Sequence, residues 1–121
     1  MEVPLYEVQK GESLAARRTI YIPMYAAADY VTPGTVVAGK AKLSVNGGTS
    51  TNSVNSMAAV TGHNGVAKLV LDTTEITTYG NIVVTAPMGA SFGQALVRVV
   101  QFDPFTEGAL SETARAYKAG K

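Results

Sequence analysis

The stretch Gly39 to Gly48, GKAKLSVNGG, constrains this chain more than any other. Ala41, Leu43 and Val45 alternate with Lys40, Lys42 and Ser44. A period of two sorts into one apolar and one polar face only when the backbone is extended. Asn46-Gly47-Gly48 then supplies residues that accept positive φ, so this strand ends in a tight turn. The pattern recurs along the chain. Thr19 to Tyr25 (TIYIPMY) sets Ile20, Ile22 and Met24 on one face. Its Pro23 cannot donate to a ladder, which predicts a sheet edge. Val66 to Asp72 gathers Ala67, Leu69 and Leu71 opposite Lys68, and Asn81 to Pro87 is rich in β-branched residues. Gly93 to Phe102 is the longest predicted strand, with Ala95, Val97 and Val99 facing one way and Leu96, Arg98 and Val100 the other. Met57 to Val60 reads as a shorter strand. The polar run Thr49 to Asn55 reads as an exposed loop or weak edge strand. Thr73 to Gly80 holds a helical turn at most, capped by Thr74 and closed by Gly80.

Turn residues separate these runs at Thr32-Pro33-Gly34, Gly62-His63-Asn64-Gly65 and Met88-Gly89-Ala90. Six to seven short strands spaced by roughly 8–12 residues predict an all-β antiparallel sandwich or barrel. The 121 residues suit one domain. Charged residues make up 16% of the chain, against about 25% in an average soluble domain. Thr, Ser, Asn and Gly take their place. A surface with few ions is easily desolvated against neighbouring chains. The net charge of +1 gives no field to attract nucleic acid or an anionic membrane. No run approaches the ~18 apolar residues of a membrane span. Glu2, Glu7 and Glu12 interrupt the first residues, which therefore do not read as a secretory signal. Synthesis in a cytoplasm is expected.

Catalysis needs placed acids, bases or nucleophiles, and few candidates exist. There is no cysteine, and His63, the one histidine, lies between turn glycines. One histidine without cysteine cannot supply the usual zinc ligands. Asp29, Asp72 and Asp103 each sit at a turn or strand end, where aspartate typically makes Asx-turn or capping hydrogen bonds. No phosphate-binding glycine motif is present. Arg17, Arg18, Lys40, Lys42, Lys68 and Arg98 read as a solvated face whose lysines blunt edge pairing. The expectation is a non-enzymatic protein with no cofactor, no metal, no nucleic-acid partner and no membrane partner.

Certain turns and strand ends resemble a known family. They are Ala28-Asp29-Tyr30-Val31-Thr32-Pro33, the strand ending Val45-Asn46-Gly47-Gly48, Asn64-Gly65 followed by Leu69 and Leu71, and the Val-rich strand Val97 to Pro104 with its Asp-Pro exit. Together they look like the small immunoglobulin-like domain found in bacteriophage virion proteins, notably tail-appendage, tail-fibre and head-fibre proteins. The resemblance covers roughly residues 18–105. Where that family often carries an aromatic residue after the Asn-Gly turn, this chain has Val66-Ala67. The resemblance implies an immunoglobulin-like antiparallel β-sandwich of six to seven strands. It also implies a virion location after synthesis in the bacterial host. The chain ends soon after Phe105, which favours an adaptor, base or decoration module over a receptor-binding tip.

The expected organisation is then an N-terminal arm (1–17), the sandwich (18–105) and a C-terminal arm or short helix (106–121). The arms are not purely polar. Leu5, Tyr6, Val8, Arg17 and Arg18, and later Leu110 and Tyr117, are candidate partner-binding residues. Such segments either anchor on a neighbour, adding a strand to its sheet edge, or pack back on their own domain. The implied function is structural: a module, held in a symmetric oligomer, that links capsid, neck or tail to an appendage through contacts with other virion proteins. The alternative is a carbohydrate- or receptor-binding module on the same sandwich.

Overall fold

The computed structural model describes residues 3–88, 90–102 and 104. Seven strands carry the fold: β1 (Leu5–Gln9), β2 (Thr19–Ala26), β3 (Gly39–Val45), β4 (Thr51–Val60), β5 (His63–Val70), β6 (Gly80–Met88) and β7 (Ser91–Val100). Two 3-10 turns, Ala15–Arg18 and Thr73–Ile76, are the helical segments among the described residues.

The all-β, antiparallel expectation holds. The order β2-β5-β4-β3-β6-β7 closes on itself, because β7 pairs with β6 along one side and with β2 on the other. The strands, expected as two facing sheets, thus form a six-stranded barrel. The seventh strand, β1, lies parallel beside β7, in register from Leu5↔Leu96 to Gln9↔Val100. Closure depends on two strands that change neighbours, the usual way a β structure turns a corner. The first five residues of β2, Thr19–Pro23, pair with β5, and Met24 to Ala26 pair with β7. The early part of β4 pairs with β3, and Ala58 to Val60 with β5.

The β4 corner accounts for the polar run that sequence alone reads as a loop. Between the pairs Lys40↔Ser56 and Lys42↔Asn52 the register shifts, so that Ser53 to Asn55 bulge opposite Ala41. Ser53 turns inward and is buried. Its hydroxyl accepts from Ala41 N at 2.9 Å and donates to Asn55 O at 2.7 Å. Asn55 Nδ2 donates to Val70 O on β5 at 2.8 Å, and Val54 N donates to Glu75 Oε2 at 3.1 Å. These bonds tie β3, β4, β5 and the Thr73–Ile76 turn together. That turn carries a capping box. Its N-cap is Asp72, not the expected Thr74: Thr74 N donates to Asp72 Oδ2 at 3.1 Å, while Asp72 N donates to Glu75 Oε1 at 2.7 Å.

The core follows the alternation. Ile20, Ile22 and Met24 on β2, Leu69 on β5, Ile82 and Val84 on β6, and Val97 on β7 are all at most 1% exposed. Each large aliphatic side chain so buried contributes about 1.5–3 kcal/mol relative to an exposed one. Ala41, Ala67, Ala86 and Ala95 sit among them, which keeps the barrel narrow enough to fill.

Residues 1–17 were expected to form an arm outside the domain. Among the described ones, Leu5 to Gln9 are instead a strand of the sheet, and Val8 is a core residue at 2% exposure. Leu110, Tyr117 and the expected C-terminal arm or helix (106–121) lie outside the described residues.

Candidate interaction surface

The side chains that point out of β1, β7, β6 and β3 form one continuous face. Strand registers set its rows. Leu5 lies opposite Leu96, Leu96 opposite Val83, and Val83 opposite Ser44. Leu5 is 55% exposed, and Leu96 and Val83 are 37% each, so three aliphatic side chains form an outward row across three strands. The next row is charged and polar: Glu7, Arg98 and Asn81, with Arg98 Nη1 3.9 Å from Glu7 Oε2. On the other side run Gln94, Thr85 and Lys42. Scattered exposed aliphatics are ordinary, but a row bounded by polar rows resembles the centre and rim of a small contact surface.

This face ends at a free strand edge. Leu96 N donates to Pro4 O at 2.8 Å and Lys10 N to Val100 O at 2.9 Å, so the even-numbered residues of β1 face β7. Leu5, Glu7 and Gln9 turn their backbone groups the other way. Glu12 N caps Gln9 O at 3.1 Å, and no strand among the described residues pairs along this side of β1. Across a seam lies β2, which pairs with β5 through Pro23 and joins β7 only from Met24. Tyr6 bridges the seam. Its hydroxyl donates to Tyr21 O at 2.9 Å and accepts from Tyr21 N at 3.3 Å. Pro23 shares Tyr21's parity, so its missing N–H falls on the side that this half of β2 leaves unpaired; β2 itself is not the edge strand expected from the sequence, because β5 and β7 pair on its two sides. Beside the bridge is an open groove of about 510 Å³ lined by Val3, Pro4, Tyr6, Tyr21, Pro23 and Val66.

At the end of the barrel where β2 meets β7, residues 26–34 fold into a tight loop. Val31 N and Thr32 N each donate to Asp29 Oδ1 at 3.0 Å, and the Thr32 hydroxyl donates to Oδ2 at 2.6 Å. These bonds, the Thr32 hydroxyl foremost, hold the Asp29 carboxyl below its ordinary pKa of 3.8. Tyr30 takes φ 56° and meets Phe92 edge-on at 6.1 Å. Gly34 is buried against Ser91, leaving no room for a side chain. The Ala-Asp-x-x-Thr-Pro signature is therefore scaffolding: it staples the β2 exit to β7. His63 is exposed on the rim of a second, more polar depression of about 570 Å³, which Pro33, Val36, Ala59 and Asn64 also line. No carboxylate is among the residues that line it with His63, and the hydroxyl there is that of Thr35. Asp72 is likewise structural. The Thr74 hydroxyl, then Thr74 N, and the nearby Arg18 charge keep its pKa low. Among the described residues no group of three His, Asp or Glu side chains could hold a metal ion.

Sequence-based candidates thus divide. Leu5 is on the surface, in the apolar row. Tyr6 is half-buried and holds the seam, and Val8 is in the core. Arg17 Nη1 lies 3.5 Å from Glu12 Oε1, and Glu12 is 8% exposed. Arg18 Nη1 donates to Leu71 O at 2.5 Å. Both arginines tie the entry of β2 to its own domain. The apolar row adds Leu96 and Val83, which sequence reasoning did not single out. The signal existed for Leu96: it shares the outward parity of Arg98. For Val83 it was hidden in a run of β-branched residues. Comparison of the chain with family models, curated proteins and solved structures finds no match.

Proposed function

We propose that this chain is a non-catalytic, immunoglobulin-like structural module of a bacteriophage particle, which acts by docking on other virion chains. The carrying observation is the outward row Leu5–Leu96–Val83, set beside the uncovered edge of β1. An aliphatic row next to free backbone donors and acceptors fits a protein partner better than a small molecule, because extended backbone satisfies such an edge. Strand order supports the immunoglobulin-like part of the reading. Taken on either side of the two corners, β2-β5-β4 follows the B-E-D order of one immunoglobulin sheet, and β3-β6-β7 follows the C-F-G order of the other. In this reading β1 is the first strand, carried across to the last. The low charge content and the resemblance of the loop motifs to virion domains point the same way.

The test is mass spectrometry with copy-number measurement on purified particles, paired with the double variant Leu5→Ser, Leu96→Ser. Stoichiometric presence of the chain, lost in the folded double variant, is expected. Absence from particles removes the reading. Undiminished incorporation of the variant removes the surface assigned to it.

A further inference from the structure

The chain contains two Asn-Gly pairs, Asn46-Gly47 and Asn64-Gly65, and their surroundings differ in a way that has chemical consequences. In such a pair the glycine nitrogen, once it loses its proton, can attack the preceding side-chain amide carbon. Glycine favours this because no Cβ shields its nitrogen and its backbone reaches the required conformations. The attack also needs a side-chain amide free to rotate onto the main chain.

Asn46 does not have that freedom. Its Nδ2 donates to Tyr79 O at 3.0 Å, and its Oδ1 accepts from Asn81 N at 2.9 Å. Gly80 packs so close that a Cβ there would lie 2.0 Å from Oδ1. The Asn46 amide therefore serves as a clamp between the β3 turn and the start of β6, fixed on both of its polar atoms. Asn64 is the opposite case. It is exposed, and no hydrogen bond holds its side chain among the described residues. The register between β4 and β5 shifts from Ala59↔Ala67 to Val60↔His63, so residues 64–66 have no counterpart on β4. The other asparagines are worse placed. Asn52 accepts from Lys42 Nζ at 2.5 Å, Asn55 is tied to Val70 O, and Asn81 precedes the β-branched Ile82.

We propose that Asn64-Gly65 is a site of spontaneous deamidation in the folded protein, and that Asn46-Gly47 is protected by its clamp. The Gly65 nitrogen bonds to Asn64 Cγ, and the amide nitrogen leaves as ammonia, giving a cyclic imide. Water then adds to one of the two ring carbonyls. One opening gives aspartate at 64; the other gives a β-linked isoaspartate whose main chain is one atom longer. Either product places a negative charge on the rim of the His63 depression. The longer linkage also strains the contact beneath it. Gly65 has φ +73°, and a Cβ there would stand 2.8 Å from Pro33 Cβ and 3.2 Å from Met24 O. An inserted atom at this point pushes against the 26–34 loop. The site is thus a one-way chemical timer on the surface around the β2 exit.

The whole chain supplies its own control, because Lys42 and Lys68 bracket a single tryptic peptide that holds both pairs. Intact protein is incubated in mildly alkaline buffer at physiological temperature, digested, and the deamidated and isoaspartyl forms are located by fragmentation. A parallel sample is incubated in denaturant. In the folded protein, conversion at 64 is expected to exceed that at 46 by at least several-fold and to rise with pH. In denaturant the two pairs react at similar rates. Asn64→Gln should abolish the folded-state conversion without altering the fold. Equal conversion at both pairs in the folded protein, or none at 64 while the denatured control reacts, overturns the proposal.

Discussion

The barrel turns two corners, and it seals them by different means. At the β4 corner a three-residue bulge is filled by polar groups that satisfy one another: Ser53, Asn55 and Glu75 bind backbone atoms of β3, β5 and β4. At the β2 corner, on the side of β1, one phenol does the equivalent work, with Tyr6 bonding both polar backbone atoms of Tyr21 beside an open groove. A polar network anchored on the buried Ser53 fixes one geometry, because any slip leaves a donor unpaired. A single half-buried hydroxyl leaves room for adjustment. The closed corner therefore defines the fold, and the open one borders the surface assigned to docking.

The comparison can be broken most severely at Gly93, where β2 crosses to β7. A Cβ there would lie 2.5 Å from Pro23 O, a backbone atom that cannot swing away. Gly93→Ala should destabilise by about 3 kcal/mol, the upper part of the usual range for overpacking, as read by denaturant unfolding. Next comes Ser53→Ala, which strands Ala41 N–H inside the bulge and should cost about 1–3 kcal/mol. Tyr6→Phe keeps the ring and removes both hydrogen bonds at the seam. Water can reach the freed groups of Tyr21, so about 0.5–1.5 kcal/mol is expected. Finding Tyr6→Phe more damaging than Ser53→Ala would invert the ranking of the corners. The smallest effect concerns pH. Asp29 and Asp72 have folded pKa values below the ordinary 3.8, so their contribution is complete above that value and fades as pH falls below it through the folded values. Acid should loosen residues 26–34 and the Thr73–Ile76 cap first. Hydrogen exchange at the Val31, Thr32 and Thr74 amides, compared at about pH 5 and about pH 3, would detect it.

Much of this was legible along the chain, for reasons that lie in particular residues. β3, β5 and β7 alternate cleanly because each has one wet face. β4 was not legible in full: its Thr51–Asn55 half buries a serine, and a buried serine leaves no hydrophobic pattern. β1 was missed as part of the domain because only Val8 in it is buried, and because its partner β7 lies at the far end of the chain. Closure into a barrel comes from register shifts and from one glycine's close approach, neither of which has a periodicity. The candidate surface was half legible. Leu5 was visible as an apolar residue in a polar segment. Its row was not, since only the strand registers bring Leu96 and Val83 beside it.

The parallel pairing of β1 with β7 has a further meaning for the order in which the molecule comes into being. β1 is synthesised well before β7, so its ladder closes only after nearly all of the described chain is free. Contacts at such separation form late and slow the search for the native state. The row Leu5–Leu96–Val83 is likewise absent from any partial product. A nascent or truncated copy lacks the finished row, so the docking proposed for it would be deferred until synthesis has passed β7.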